Sequence, residues 1–421
     1  MTEDKLKYLT GDPTDQVPRV RAVRMGDEEV SEEPPFPSAV PDRKVEYYTI
    51  SRDKWIQVES AFDAAQRIQK KIDSEFRSKT QNIMAGVTTH GSNEQYVVTV
   101  KIERLSSVDI HTLPTPEQTL DRLKEILPDE AVGQANTSAS PSPHQADIDV
   151  ESATVVEDIP IEYEFAIKTL EGCGVEKCDW LEDGAGHYTS VYRQSGISVD
   201  GVFTGSAIQT PNRNGNWSGR CTLGPRVRDS SGERMLFTNA HCVYDTDFES
   251  PLDAIGRLVG QPNEEYIIGE VKSITHSGQM DAALIELNRS YYATNQLASK
   301  TAGEANGILS STVVGLDYLK DNTRTPICRQ GARSGRCEGR LYAIRDRLGG
   351  HRIEILRDYH DGGGNSGGPY FIEENGELEL VGMHQAGNET NPPSWDPAGP
   401  EPLAIGTYIG DLENEFDVNV I

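Results

Sequence analysis

The sequence predicts an all-β barrel or sandwich over roughly residues 190–421, preceded by a small α+β domain at 48–129, and three observations carry that expectation. Beyond about residue 185 the chain becomes a series of short β-prone runs broken by Gly, Asn and Asp: GVFTGSAI, RMLFTNA, EYIIGEVKSI, DAALIELN, RLYAI, HRIEIL, GPYFIE, ELVGMH and LAIGTYIG. Regularly spaced strands with turn residues between them mark barrels and sandwiches. No long helical periodicity occurs there before the last dozen residues. Upstream, by contrast, a helical stripe and paired strands alternate.

The helical stripe is Trp55, Val58, Phe62, Ala65, Ile68, Ile72 and Phe76, recurring every three or four residues, which is one apolar face of a long amphipathic helix. NIMAGV and YVVTVKI, separated by THGSNEQ, read as paired strands. Thr115 then precedes Pro116, with Gln118 three residues past the cap, a helix start whose buried face is Leu120, Leu123, Ile126 and Leu127. Residues 1–47 mix acids, Pro and Arg and read as a flexible acidic tail, while 130–189 reads as a linker with connecting strands. Within that linker GQANTSASPSPHQAD is the clearest flexible stretch. DVESATVV and IPIEYEF after it either close the first domain or lead into the next.

Charge narrows the function. With 67 acids against 40 bases in 421 residues the net charge is -27, which argues against nucleic-acid binding through general electrostatics. The bases divide into 14 Lys and 26 Arg; an acidic, lysine-poor surface suits a protein kept soluble in strong salt, where self-repulsion is screened. Six cysteines are too sparse for a disulfide scaffold, and 36% hydrophobic residues can fill a real core. No apolar stretch approaches the length of a transmembrane helix, so no membrane association is expected. The first 30 residues lack the apolar core of a signal peptide, which reads as cytoplasmic.

Three local sequences carry chemistry: Thr238-Asn239-Ala240-His241-Cys242, Met280-Asp281-Ala282-Ala283-Leu284, and Gly363-Gly364-Asn365-Ser366-Gly367-Gly368-Pro369. Acyl transfer through serine needs a hydroxyl, an imidazole to take its proton and a carboxylate to hold the imidazole's tautomer. Ser366, His241 and Asp281 supply one of each. Glycines around a nucleophile allow the tight turn that aims two amides at one point, here those of Gly364 and Ser366 as an oxyanion hole. His276, five residues before Asp281, is a rival base without the flanking pattern. Taken alone, GNSGGP is also compatible with a turn-rich hairpin.

In the order His, Asp, Ser, separated by 40 and 85 residues, these motifs resemble the chymotrypsin/trypsin-like serine endopeptidases. The subtilisin and α/β-hydrolase orders do not fit. The resemblance implies an all-β double barrel of chymotrypsin type for 190–421. Cys221-Thr222-Leu223-Gly224 ahead of Ala240-His241-Cys242 resembles the bacterial alpha-lytic protease and streptogrisin group, which implies a Cys221–Cys242 bridge. Cys328 up to Cys337 resembles a second bridged loop of that group, with one residue fewer between the cysteines. Cys173 with Cys178 is a short-loop candidate; metal binding there is the weaker reading, since no paired ligand set lies nearby. Bridged cysteines imply an oxidising, extracellular setting, in tension with the missing signal peptide.

Two departures bear on activation and specificity. Asn365 stands where many animal relatives carry Asp, so activation by an Asp-based N-terminal latch is not expected; Asn also occurs there in glutamyl endopeptidases. That branch carries a histidine at the position matching His384, which implies an acidic substrate side chain. Asp361, in the stretch that forms the pocket's other wall beside Gly363, would instead repel Glu and favour Arg or Lys. The sequence leaves both open, and a small or neutral side chain as well, since His384 and Asp361 could instead pair with each other. The alpha-lytic group also carries removable N-terminal pro-regions, and 48–129 occupies that position without a motif match.

The reading is therefore a serine endopeptidase acting on peptide or protein substrates, needing neither metal nor organic cofactor. A non-catalytic peptide-binding module or a latent precursor is the alternative.

Overall fold

The computed structural model describes residues 16–25, 43–76, 81–90, 95–105, 114–136, 153–169, 200–212, 214–244, 250–262, 264–277, 280–288, 290–299, 305–347, 350–357, 364–391 and 402–421. The first part comprises β1 (Gln16–Met25), β2 (Arg43–Ser51), α1 (Arg52–Glu75), β3 (Gln81–His90), β4 (Gln95–Leu105), α2 (Pro116–Ile126), β5 (Glu130–Asn136) and β6 (Ala153–Thr169). α1 starts where the Ser51 hydroxyl accepts the Lys54 amide, and it buries Val58, Phe62, Ala65, Ile68 and Ile72 in the main core. α2 carries the full capping box between Thr115 and Gln118, behind Pro116. β4 pairs antiparallel with β3 and parallel with β6, which pairs antiparallel with β5. The stretch 133–147, read as flexible, belongs to β5 at 133–136 and otherwise lies outside the described residues; β6 after it closes the first unit.

One expectation is corrected. The stretch 1–47, read as a flexible tail, contains β1, which pairs with β2 and buries Val17, Ala22 and Met25. Its arginines disguised it. Arg19 meets Asp321 at 2.9 Å and Glu59 at 2.8 Å, Arg21 meets Glu379 at 2.8 Å, and Arg24 meets Glu377 at 2.9 Å. A strand whose three charged positions are all paired arginines has no ordinary apolar signature.

The remaining strands are β7 (Asp200–Thr204), β8 (Ala207–Pro211), β9 (Trp217–Thr222), β10 (Arg226–Asp229), β11 (Arg234–Thr238), β12 (Leu258–Gly260), β13 (Ile267–Ser277), β14 (Met280–Leu287), β15 (Tyr291–Ala298), β16 (Ala305–Val314), β17 (Pro326–Gly331), β18 (Gly335–Arg347), β19 (Gly350–Arg357), β20 (Pro369–Glu374), β21 (Glu377–Asn391), β22 (Pro402–Tyr408) and β23 (Val418–Val420). Two short helices, α3 (Leu316–Asp321) and α4 (Ile409–Phe416), complete the chain. The eight-stranded sheet β23-β10-β11-β14-β13-β12-β8-β9 forms a half-barrel around Leu236, Val259, Val271 and Ile285. Strands β17, β18, β19, β22, β21 and β20 pair in turn and back to β17, a closed six-stranded antiparallel barrel. This is the double-barrel fold of chymotrypsin type, preceded by an α+β region.

The first unit joins the closed barrel at two ladders. Val87 on β3 pairs with Ile344 on β18, and Phe165–Thr169 of β6 run antiparallel to Asn391–Gly387 of β21. Between them lies a buried charge cluster. Lys101 meets Glu354 at 3.0 Å, Arg345 meets Glu164 and Glu354 at 3.0 Å each, and Arg352 meets Glu103 at 2.7 Å and Glu354 at 2.9 Å. Three cations balance three carboxylates. Burial opposes the Glu354 charge, but Arg345, Lys101 and Arg352 together hold its carboxyl well below the usual range.

Among the described residues no helix is long and apolar enough to cross a membrane.

Candidate active site

His241 sits in a single 3-10 turn, Ala240–Cys242, that follows directly on β11. Asp281 is the second residue of β14, the strand paired with β11. The pairing brings the two side chains together without a long loop. The Asp281 carboxylate accepts the His241 backbone amide at Oδ1 (3.0 Å), and its Oδ2 lies 2.5 Å from His241 Nδ1. Asn239 Nδ2 donates to the Asp281 carbonyl at 2.7 Å, fixing the turn to the strand.

Electrostatics favour an ionised Asp281. Burial alone would raise its pKa, but the charge and hydrogen bond of His241, followed by those of His276, pull it far below the usual carboxylate range. His276 faces Asp281 directly across the β13–β14 ladder, with Nδ1 3.5 Å from Oδ1. It is a neighbour of the carboxylate.

Ser366 lies in the loop before β20. Two glycines flank it with positive φ: Gly364 at 103° and Gly367 at 95°, a region that L side chains avoid. At Gly367 a Cβ would also stand 2.1 Å from the Thr222 carbonyl oxygen. Thr222 anchors this loop: its Oγ1 donates to the Gly364 carbonyl at 2.8 Å, and its amide donates to the Ser366 carbonyl at 2.8 Å. From the other side, Gly367 N donates to the His384 carbonyl at 2.9 Å and His384 N to the Gly368 carbonyl at 2.8 Å. The Ser366 hydroxyl donates to the Gln385 carbonyl at 3.2 Å.

A residue that sequence reasoning treated only as a departure turns out to hold this loop. Asn365 is fully buried, and its side-chain oxygen accepts the amides of Arg333 (3.2 Å) and Ser334 (3.0 Å). A neutral acceptor does here what an ion pair would otherwise do, and the signal was the Asn beside Ser366.

The Cys221–Cys242 bridge forms, with a Cα–Cα distance of 5.9 Å. It ties the residue after His241 to the residue before Thr222, and Cys242 Sγ lies 3.8 Å from the Ser366 carbonyl oxygen. The bridge is therefore a strut between the histidine turn and the serine loop. The second expected bridge does not form: Cys328 is a buried free thiol. Strand register explains why. Cys328 stands opposite Glu338 and Cys337 opposite Arg329, and positions one apart in a ladder belong to opposite faces. Cys173 and Cys178 lie outside the described residues, as do Asp361 and Gly363.

His384 is buried, at 2% exposure, with Nδ1 2.5 Å from the Tyr370 hydroxyl, which in turn lies 3.3 Å from the Ile405 carbonyl oxygen.

Residues 231–398 match the family model described as Trypsin. Among solved structures, a protease of Nocardiopsis (NAPase) is 16% identical with a TM-score of 0.35, covering 52% of this chain and 98% of its own. Thermobifida fusca protease A is 18% identical with a TM-score of 0.35 and the same coverage. A structure described as a glutamic acid specific serine protease using a histidine triad in substrate binding is 17% identical with a TM-score of 0.36, covering 52% of this chain and all of its own. No curated protein matches the chain. With the double barrel and the family match on the same segment, the C-terminal part of the chain is a domain of the chymotrypsin/trypsin-like serine protease family, a serine-protease-like hydrolase of peptide bonds.

Proposed function

We propose that the chain is a serine endopeptidase in which Ser366 attacks the peptide carbonyl and His241 takes the hydroxyl proton and passes it to the leaving amine. Asp281 holds His241 in the required tautomer, and the amides of Gly364 and Ser366 bind the oxyanion of the tetrahedral intermediate. The acyl-enzyme on Ser366 is then hydrolysed by water activated through His241. The observation that carries this reading is the two-point hold of Asp281 on His241. Free hydroxyl–imidazole contacts in such sites often tighten only with substrate bound, which accommodates the Ser366 hydroxyl resting on Gln385.

The test is fluorophosphonate labelling of the full chain beside Ser366→Ala, in low salt and in multimolar KCl, with intact mass recorded. Labelling lost in the variant supports the nucleophile. A folded wild type that resists labelling, yet still binds peptides after Ser366→Ala, points to a binding module instead.

Salt adaptation gains support from where the bases lie. Among the described residues eight Lys or Arg are buried against five Asp or Glu, so the exposed charge is more acidic than the totals. Labelling that rises with KCl supports it. An acidic P1 preference rests on His384, whose Nδ1 is held by the Tyr370 hydroxyl; it predicts faster cleavage after Glu than after Arg or Ala.

A second reading, the latent precursor, is favoured by one observation. β6 pairs with Gly387–Asn391, the edge of the same strand whose Gln385 receives the Ser366 hydroxyl. Substrates that bind by strand addition need such an edge, and here the chain's own first unit fills part of it. On this reading 48–129, with β5 and β6, is a pro-region, and mass loss accompanied by faster labelling is the expected sign.

A further inference from the structure

We propose that His276 is a positioning residue for the Asp281–His241 pair; this rests on the roles assigned above to Ser366, His241 and Asp281. β13 and β14 form a tight hairpin in which Ser277 pairs with Met280 and His276 with Asp281. Directly opposed residues have Cβ atoms about 5 Å apart, which puts the imidazole within reach of the carboxylate. His276 Nδ1 lies 3.5 Å from Asp281 Oδ1, the oxygen that also accepts the His241 amide.

The other side of the ring is held as well. Its centroid lies 5.8 Å from that of Tyr244, in a tilted arrangement, and the Tyr244 amide donates to the Ala240 carbonyl of the histidine turn at 2.8 Å. His276 thus connects the strand hairpin bearing Asp281 to the segment bearing His241. The Asp281 side chain retains 17% exposure and that of His276 41%, so the imidazole covers the wet side of a carboxylate otherwise gripped by His241. A carboxylate with one oxygen exchanging water can rotate away from its partner. The His276 ring nitrogen 3.5 Å from Oδ1 restrains that rotation and keeps Oδ2 on His241 Nδ1 while the imidazolium forms.

The test uses two substitutions in the full chain. His276→Phe keeps a ring against Tyr244 and removes the donor; His276→Asn places an amide N–H where Nδ1 stands. The expected result is a fall of about fivefold in kcat and in fluorophosphonate labelling rate for Phe, the value of one modest hydrogen bond, with KM unchanged and with Asn restoring most of the loss. A second readout needs no turnover: the low-field proton resonance of His241 Nδ1–H, assigned by its loss in Asp281→Asn, should shift in the Phe variant and return in the Asn variant. Unchanged kcat and resonance in His276→Phe, or a loss that His276→Asn fails to restore, would overturn the proposal. Failure of the broader reading looks different, since the wild type would then go unlabelled while the resonance still reports on His276.

Discussion

The side-chain oxygen of Asn365 accepts the Ser334 amide at 3.0 Å inside a site with no solvent exposure. It takes the Arg333 amide too, so one neutral side chain stitches the serine loop to the β17–β18 turn. Asn365→Ala would leave both amides without that acceptor. An orphaned buried polar group costs about 1–3 kcal/mol, and the loop that presents the Gly364 amide would lose its tether. The expected outcome is lower stability in urea together with slower fluorophosphonate labelling. If Asn365→Ala unfolds like the wild type, the tether is dispensable.

Acid should weaken the Asp281–His241 clasp in a definite direction. The folded pKa of Asp281 lies below its unfolded value, because the two histidines outweigh burial. Its contribution to stability is therefore full above about pH 4, the unfolded carboxylate range, and is lost as pH falls through the lower folded value. Urea midpoints at pH 7 and pH 3 for wild type and Asp281→Asn should differ clearly at pH 7, with the difference beginning to shrink by pH 3. A gap that widens on acidification has the wrong sign.

Glu354 serves three cations at once: Lys101, Arg345 and Arg352. Its removal strands buried positive charge, and breaking one partner of a buried pair costs about 3–5 kcal/mol. Glu354→Gln is expected to lower stability by at least that much, with little relief from added KCl because the site is dry. Limited proteolysis should then cut between β3 and β6 first, since that unit loses its anchor. An unchanged digest would remove the cluster from any role in docking.

Breaking the β6–β21 ladder separates a latent form from an active one. Proline removes a backbone N–H, and along this stretch of β6, which lies between β21 and β4, successive amides face one neighbour and then the other. Ile167→Pro and Lys168→Pro, made separately, should therefore behave differently. The variant whose lost amide faces β21 is expected to raise the labelling rate of Ser366, and the one whose lost amide faces β4 to change it less, since the β21 ladder stays paired. Equal rates for both variants and the wild type would mean that β6 does not obstruct the site.

How much of this could be read from the chain alone divides along physical lines. His241, Asp281 and Ser366 could be picked out as candidates because each lies in a compact local motif, α1 because its apolar stripe recurs every three or four residues, and α2 because Thr115 and Gln118 begin it in the ordinary way. β1 was not legible: beside the nearer Glu59 and Glu46, Arg19, Arg21 and Arg24 take partners from residues some 300 positions or more away, which no local pattern reports. Cys328 and Cys337 misled for a related reason. A count of intervening residues does not reveal ladder register, and a one-residue shift moves a side chain to the other face. The meeting of His276 with Asp281 was visible only as a rival, since its use depends on a hairpin register.

The charge cluster between the first unit and the closed barrel is not evenly shared. Lys101, Glu103 and Glu164 come from the first unit and sum to one negative charge, while Arg345, Arg352 and Glu354 come from the barrel and sum to one positive. Were the backbone severed between β6 and β7, each fragment would carry an uncompensated charge of the sign its counterpart lacks, besides the strand edges of three ladders, β1–β16, β3–β18 and β6–β21. A nicked chain is therefore expected to stay one particle on a sizing column. Scission and departure become separate events, and the interval between them is a clock that ionic surroundings reach only once the seam has begun to open.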